Sequence, residues 1–457
     1  MVDQVVVAFE GEGEGVGSLT WSQMGFWQSI EGSGDSRTVG GVTPLPPGIK
    51  IEAVTGMLRF VMNRHQVLRT RLVFDGEGKP PLQRCWSSGE VVLEIVDVAD
   101  GDDAVEVADA LRERYQEKHF DYVNEWPVRM GVVRQHGSLT HMVAVYLHLS
   151  LDAAALTLLC EDLARWDAET DGRAAGPVTA MQPLEQAARQ ATPGGQRQGR
   201  ASLRYLEHVL RTVSPSRFGP TRYGDEPSYR MIRYRSPATL LAAQAVAANG
   251  GFNTSPVLLA SFAVALARRT GRNPVMTLVT VSNRFRPGLA ESVSPVSQVT
   301  PLMIDVADIT VGEAVTRSAQ SALAAYKNAY CDPYEQDEVV ERVGVERGEE
   351  IDLSCYYNDR RQLDRGPTGE TPTAEQIRAA LPQGTAHWEH ELEMSKAKVY
   401  LYVDEAPGAI EFLLSVDTRY FSAEETEALA REMETVAVEA ALDPAAATAV
   451  HSVPAPV

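Results

Sequence analysis

The chain has few cysteines and spaces them widely. Cys85, Cys160, Cys331 and Cys355 are the only four in 457 residues, and no two form a CxxC pair. This excludes a thiolate zinc site and a disulfide framework, and predicts reduced thiols in the cytoplasm. Cations are also in deficit: 42 Lys and Arg stand against 62 Asp and Glu, a net charge of −20. A surface so short of cations cannot neutralise a phosphate backbone, so broad nucleic-acid binding is excluded, and anionic lipid does not attract it. An acidic protein partner remains open wherever basic residues gather locally. No stretch of about 18 apolar residues occurs, so no membrane span is predicted. The opening MVDQVVVAFEGEGEG has no basic start and no signal-like apolar core, which speaks against secretion. Several catalytic signatures are absent too. His387 and His390 in HWEHELEM lack the HExxH pattern and an evident third ligand, so no metal is expected. Ser150 has no GxSxG around it and is not a nucleophile elbow. GEGEGVG at 11–17 does not fit GxGxxG, and its glutamates would repel phosphate.

What is present is an ordinary globular composition, 44% hydrophobic and 23% charged, with ample material for a core. Length alone predicts roughly two to four domains. Residues 1–17 read as a flexible arm. SLTWSQMGFWQSI (18–30) reads as a helix capped by Ser18 or Thr20, and 31–49, rich in Gly, Pro and Ser, as a long loop. Val54, Met57, Leu58, Val61 and Met62 have helical spacing. TRLVFDGEGKPPLQRCW reads as strand, turn and strand, and VVLEIVDV as another strand. Ala104 to Lys118 is an amphipathic helix, and VRMGVVRQHGSLTHMVAVYLHL a hairpin ending at His148. Ser202 to Val213 reads as a helix and 214–229 as a loop, and the boundary between halves is a linker within 201–229, separating a lobe over 18–200 from one over 230–457. In the second half a strand (MIRYRS) and two helices follow, the second over 255–269 with Pro256 early in it. Then come a buried strand (VMTLVTVSNR), a helix over 310–330, a hairpin (VYLYVDEAPGAIEFLLSVDT) and a last helix capped by Ser422. Strand, helix and hairpin recur in similar order, which predicts two related mixed α/β lobes.

The stretch MVAVYLHLSLDAAALTLLCEDL carries the sharpest chemical signal. An apolar strand delivers one histidine, His148, to its end; a short turn and Asp152 follow, then an Ala- and Leu-rich helix. An imidazole desolvated by Tyr146, Leu149 and Leu151 can accept a proton near neutral pH, or hold a nucleophile by a hydrogen bond. The same residues are compatible with a buried structural histidine. Asp152, directly before AAALTLL, stands where a helix N-cap belongs. Arg64, His65, Arg69 and Arg71 form a basic cluster, read as cations at a helix end, with contact to an acidic carrier protein as the alternative.

The chain resembles the condensation domains of non-ribosomal peptide synthetases, members of the chloramphenicol-acetyltransferase-like superfamily. LTWSQMGFW is similar to the family's opening helix, and RHQVLRTRL (64–72) to RHExLRTxF. YLHLSLDAA (146–154) stands where HHxxxDG belongs. SNRFRPGL with VSPVSQVTPL (282–302), CDPYEQDEVV (331–340) and LLSVDTRYFSAEETEAL resemble later family segments, all in order. The copy of HHxxxDG departs twice: Leu147 replaces the first histidine and Ala153 the glycine, while His148 and Asp152 are retained. Gln298 stands for the family's asparagine. An aspartate in place of Leu147 would mark a cyclisation-type variant; that subtype is therefore not expected.

The resemblance implies an α/β (α+β) fold of two chloramphenicol-acetyltransferase-like lobes arranged as a V around a central tunnel. It implies a condensation-type acyltransferase that joins a carrier-bound acyl or peptidyl thioester to an amine or hydroxyl nucleophile. His148 would be the catalytic base or positioning group, with an Asp152–Arg284 ion pair as structural support. Tyr146, Ser150, Ala153, Gln298 and Trp388 are candidates for the tunnel lining, and YYNDRRQ (356–362) either lines it or is a solvated loop. No bound cofactor and no metal are expected; substrates arrive on phosphopantetheine arms of a peptidyl or acyl carrier protein acting in trans, since no adenylation or carrier segment is recognised. The nucleophile is carrier-bound or a free small molecule, and a cytoplasmic monomer is expected. Two rivals keep the fold: a catalytically inactive docking module that recruits partners to a carrier protein, and an acyltransferase using free coenzyme A thioesters.

Overall fold

A computed structural model of the chain describes residues 2–76, 78–167, 172, 176–224, 228–250, 253–361, 370–389 and 397–452. Two compact units emerge, and each draws on separated stretches of chain. The first comprises Met1–Gly199, Ser282–Gln298 and Tyr330–Tyr334; the second comprises Arg200–Val281, Val299–Ala329 and Glu335–Val457.

The first unit is built on a five-stranded sheet in the order β1 (Val2–Glu10), β6 (Ser88–Asp97), β7 (Val128–Gln135), β8 (Ser138–Leu147), β3 (Thr38–Pro44). A smaller sheet orders β2 (Gly15–Ser18), β5 (Leu82–Cys85) and β4 (Thr70–Val73). Helices α1 (Trp21–Ser33), α2 (Ile51–Arg64), α3 (Ala104–Glu117), α4 (Ala153–Leu163) and α5 (Pro183–Ala191) complete it. The second unit has a seven-stranded sheet. Its order is β11 (Gln298–Ile304), β10 (Val275–Val281), β12 (Cys355–Asp359), β14 (Val399–Ala406), β15 (Ala409–Asp417), β9 (Tyr229–Ser236), β13 (Thr385–Trp388). One succession of pairings recurs in both sheets. β6–β7 is parallel, β7–β8 and β8–β3 antiparallel; β12–β14 is parallel, β14–β15 and β15–β9 antiparallel. The mixed α/β class and the repeated lobe plan therefore both hold inside the units.

Local chemistry explains most elements. Thr20 caps α1 and Gln23 reaches back to the cap backbone, so two orphan donors are satisfied at once. Ser422 and Glu425 do the same for α12 (Ala423–Leu442). Helix α8 (Ser255–Thr270) is apolar all round, and every residue from Pro256 to Ala267 is buried, as such a composition requires. It packs with α7 (Pro237–Gly250), α9 (Val311–Lys327) and α12 in the main core of the second unit. No single helix among the described residues is long and apolar enough to cross a membrane.

Two expectations need correction. Residues 1–17 are not an arm: β1 pairs along its length with β6, from Val2↔Val96 to Glu10↔Ser88, and β2 pairs with β5. The alternation in VVVAFE drives this, with Val7 and Phe9 buried and Val6 outward. The loop at 31–49 contains β3, which pairs with β8 from Thr38↔Leu147 to Pro44↔His141. Its Gly40, at φ 138°, lies so close to the Ala144 carbonyl that a Cβ would collide with it. The helix read over 202–213 within the boundary region is part of α6 (Pro193–Thr212). Leu206, Val209, Leu210 and Val213 pack with Met276, Val339 and Val343.

The basic cluster at 64–71 is spent inside the first unit. Arg69 is fully buried and donates to the carbonyls of Glu12, Gly13 and Trp86. Arg71 lies over the Trp126 ring, 3.5 Å from its centroid. Arg64 and His65 both bind Asp162 of α4, at 2.7 and 3.0 Å. Burial pushes the Asp162 carboxyl up, but hydrogen bonds from His65 and Arg64 outweigh this and hold its pKa at about 2. A carboxylate depressed from 3.8 stabilises the fold above that pH, and the contribution disappears as pH falls through 2. We expect Asp162→Asn to lower unfolding stability by about 2 kcal/mol at neutral pH. The difference from wild type should shrink steadily between pH 5 and pH 2 in urea titrations.

Candidate functional site

The site is assembled at the end of β8. The strand stops at Leu147, which is buried in a small apolar cluster with Leu19, Trp27, Ile30 and Leu149. The chain then turns through 148–150. The His148 amide donates to the Arg37 carbonyl just ahead of β3, at 2.9 Å, and the Ser150 amide donates to Leu147, at 2.8 Å. The Ser150 hydroxyl donates to the same Leu147 carbonyl at 2.6 Å, so it serves the turn. The side chain of His148 is thus aimed by a backbone fixed at three points.

His148 is half-buried, and the Phe26 ring of α1 stacks on its imidazole, centroids 4.3 Å apart and planes 29° apart. Its Nδ1 is shut off from solvent and makes no hydrogen bond of good geometry. Burial lowers its pKa from 6.5, outweighing backbone groups of His148 and Leu151 and the charge of Asp152, which all raise it. The imidazole is therefore neutral at pH 7, and a neutral imidazole can take up a proton.

Asp152 stands four residues on, buried, as N-cap of α4. One carboxylate oxygen accepts from the Ala155 amide at 2.7 Å and from Arg284 Nη2 at 2.7 Å. The other accepts from the amides of Val296 and Ser297, at 3.0 and 3.2 Å. Both readings of this residue, helix cap and ion pair, describe its geometry. Arg284 also donates to the carbonyls of Ser292 and Ser294, at 2.7 and 3.1 Å. The loop 282–298 is thereby bound to α4 by one carboxylate and one guanidinium.

The other candidate residues are spread more widely. Gln298 ends the same loop and clasps the Cys331 backbone, donating at 2.8 Å and accepting at 3.2 Å. Ala153 is exposed at the first position of α4. Tyr146, expected at a lining, is instead 5% exposed within the core of the first unit, where burial pushes its phenol up. Trp388 belongs to the second unit, on β13 opposite Ile232, and packs on that unit's core. Of YYNDRRQ, 356–359 lie in β12, where Tyr356 stacks on Tyr400, and Gln362 lies outside the described residues. His390 also lies outside them, and no group of three metal-ligating side chains occurs among the described residues. Phe26, the Arg37 carbonyl and the amides of Val296 and Ser297 were missed by sequence reasoning. None carries a motif of its own, and only the helix pattern of LTWSQMGFW hinted that Phe26 had a face to present.

The condensation-domain family model matches residues 14–453. The probable nonribosomal peptide synthetase CymA of Salinispora arenicola is 29% identical over 168 residues, 36% of this chain but only 2% of CymA. Among solved structures, the X-domain from teicoplanin biosynthesis superposes with a TM-score of 0.70 at 18% identity. The match covers 95% of this chain and 97% of that one, and the same X-domain is known in complex with OxyB. A condensation domain mediating chain release from the enacyloxin polyketide synthase gives 0.66 at 19% identity, covering 98% and 84%.

Removing either half of the Asp152–Arg284 pair leaves a buried charge uncompensated. Asp152→Ala and Arg284→Met should each destabilise the protein by roughly 3–5 kcal/mol. The double variant should cost less than the sum of the two, since the partners share one network. Urea denaturation of the four proteins checks this.

Proposed function

Because the chain belongs to the condensation-domain family, we propose that it is a condensation-type acyltransferase of non-ribosomal peptide or related specialised metabolism. It takes an acyl or peptidyl group from the phosphopantetheine thioester of a carrier protein and joins it to an amine or hydroxyl nucleophile. A thioester is already activated, so the protein must orient the nucleophile and manage one proton. The nucleophile's lone pair forms the new bond to the acyl carbon while its proton passes to Nε2 of His148. The carbon–sulfur bond breaks, and the departing thiolate takes the proton back from the imidazolium. Neither a metal nor a covalent enzyme intermediate is needed.

One observation carries this reading: a neutral, half-buried imidazole on a turn that Asp152 and Arg284 anchor. Nδ1 faces inward, and Nε2 makes no hydrogen bond among the described residues, which leaves it free for substrate. Leu147 in place of a first histidine does not remove the proton acceptor. It does favour one rival, recruitment without transfer, as does the likeness to an X-domain known in complex with OxyB.

The test is intact-protein mass spectrometry of acyl-loaded carrier proteins mixed with this protein and a pooled set of amines and alcohols. Wild type should move the acyl mass into a new product, and His148→Ala should slow this by about a hundredfold or more. The rate should fall on the acid side with an inflection below 6.5, where the imidazole protonates. Carriers that bind but keep their acyl mass across a broad donor panel would establish recruitment instead.

A further inference from the structure

The second unit contains a pocket that the reaction does not use. Arg217, Arg272 and Cys355 are among the residues that line it. It lies where β10 and β12 begin, whereas the loop bearing Arg284 leaves the far end of β10, at Val281. Seven strand residues separate those ends, roughly 20 Å.

Arg217 is 5% exposed, and neither its Nε nor its Nη2 has a hydrogen-bond partner among the described residues. A buried guanidinium without a partner is costly, and natural proteins retain one where something satisfies it. The two unpartnered atoms form one edge of the guanidinium, and this chain uses that same edge repeatedly to grip oxyanions. Arg64 holds Asp162 through Nε and Nη2, Arg134 holds Asp97, and Arg361 holds Asp359. Such side-on pairs are the strong, directional form of the arginine–oxyanion contact.

The surroundings share that sign. Arg272, exposed and also lining the pocket, has no ion pair among the described residues. Arg347, close enough to lower the Arg217 pKa, is committed to the Leu210 and Val213 carbonyls. The nearby carboxylate, Asp352, is committed to Lys398 at 2.9 Å and to Ser354. Burial holds the Cys355 thiol neutral, pushing its pKa to about 12. The loop carrying Arg217 is fixed by the Asp352 amide on the Pro215 carbonyl and by Ser216 Oγ on the Phe218 carbonyl. Cations thus face the pocket without a free anion, in a chain whose net charge is −20.

We propose that this pocket binds a small oxyanion, a phosphate or a carboxylate, gripped side-on by Nε and Nη2 of Arg217 with Arg272 at the mouth. The site lies within the second unit and His148 within the first, and the proposal does not depend on whether the protein transfers acyl groups.

The experiment is thermal unfolding and titration calorimetry of the full chain with inorganic phosphate, with acetate and with chloride, at constant ionic strength. One of the two oxyanions should raise the unfolding midpoint saturably while chloride does not, and which one does so distinguishes phosphate from carboxylate. Arg217→Met should lose affinity by roughly tenfold to a hundredfold, the value of a charge-assisted pair. Without ligand it should be at least as stable as wild type, because a buried unpaired cation has gone. Arg272→Gln, at an exposed position, should weaken binding several-fold while leaving the fold intact, and it decides the matter if Arg217→Met fails to fold. Equal responses to all three salts, or oxyanion binding that survives both substitutions, would overturn the proposal.

Discussion

The carboxylate of Asp152 is the constraint on which the rest of the site depends. It accepts four hydrogen bonds, from the first turn of α4, from Arg284 and from two successive amides at 296–297. Asp152 itself is buried, and two of the four lie fully in the interior, where each is stronger than it would be in water. No other group could satisfy that set of donors: an amide would present one oxygen, and an apolar side chain none. The turn that carries His148 is therefore bounded on one side by a backbone lattice from β3 and β8, and on the other by an ion pair.

The two roles of this region separate along the chain. The His148 imidazole stays neutral because its environment is apolar and no carboxylate bonds it among the described residues. Asp152 supplies rigidity at a distance of four residues, and its charge goes to Arg284 and to backbone amides. An imidazole bonded directly to a buried carboxylate behaves differently. His65 is such a residue, bound to Asp162 in the interior between α2 and α4, and it holds structure together instead of facing a substrate.

Elements whose signals are local were legible in the sequence. Thr20 with Gln23 and Ser422 with Glu425 are capping boxes that any reading finds, and the apolar spacing of α2 and the alternation of β14 and β15 need no tertiary context. β3 was not legible, because Thr-Val-Gly-Gly-Val-Thr-Pro has weak strand propensity and becomes a strand only by pairing with β8. β1 was masked by the glycine-rich stretch after it. At the site, the proximity of Asp152 and Arg284 came from resemblance alone, since 132 residues separate them. Phe26 over His148 could not be foreseen, because helix periodicity says which face is apolar but not what it meets. The basic cluster at 64–71 was legible only in part: Arg64 closes α2 as a helix-end cation, whereas Arg69 satisfied by carbonyls in the interior leaves no trace in composition.

The division of the first unit into three stretches of chain has a consequence for biosynthesis. Ribosomes emit about 5–20 residues each second, so Arg284, 132 residues on, emerges roughly 7 to 26 seconds after Asp152. Throughout that interval the newborn sheet already presents His148, while its anchor has no counterion and the loop at 282–298 does not yet exist. The turn that bears His148 is thus among the last parts of the first unit to set, and its anchoring ion pair forms only when translation has passed well into the second.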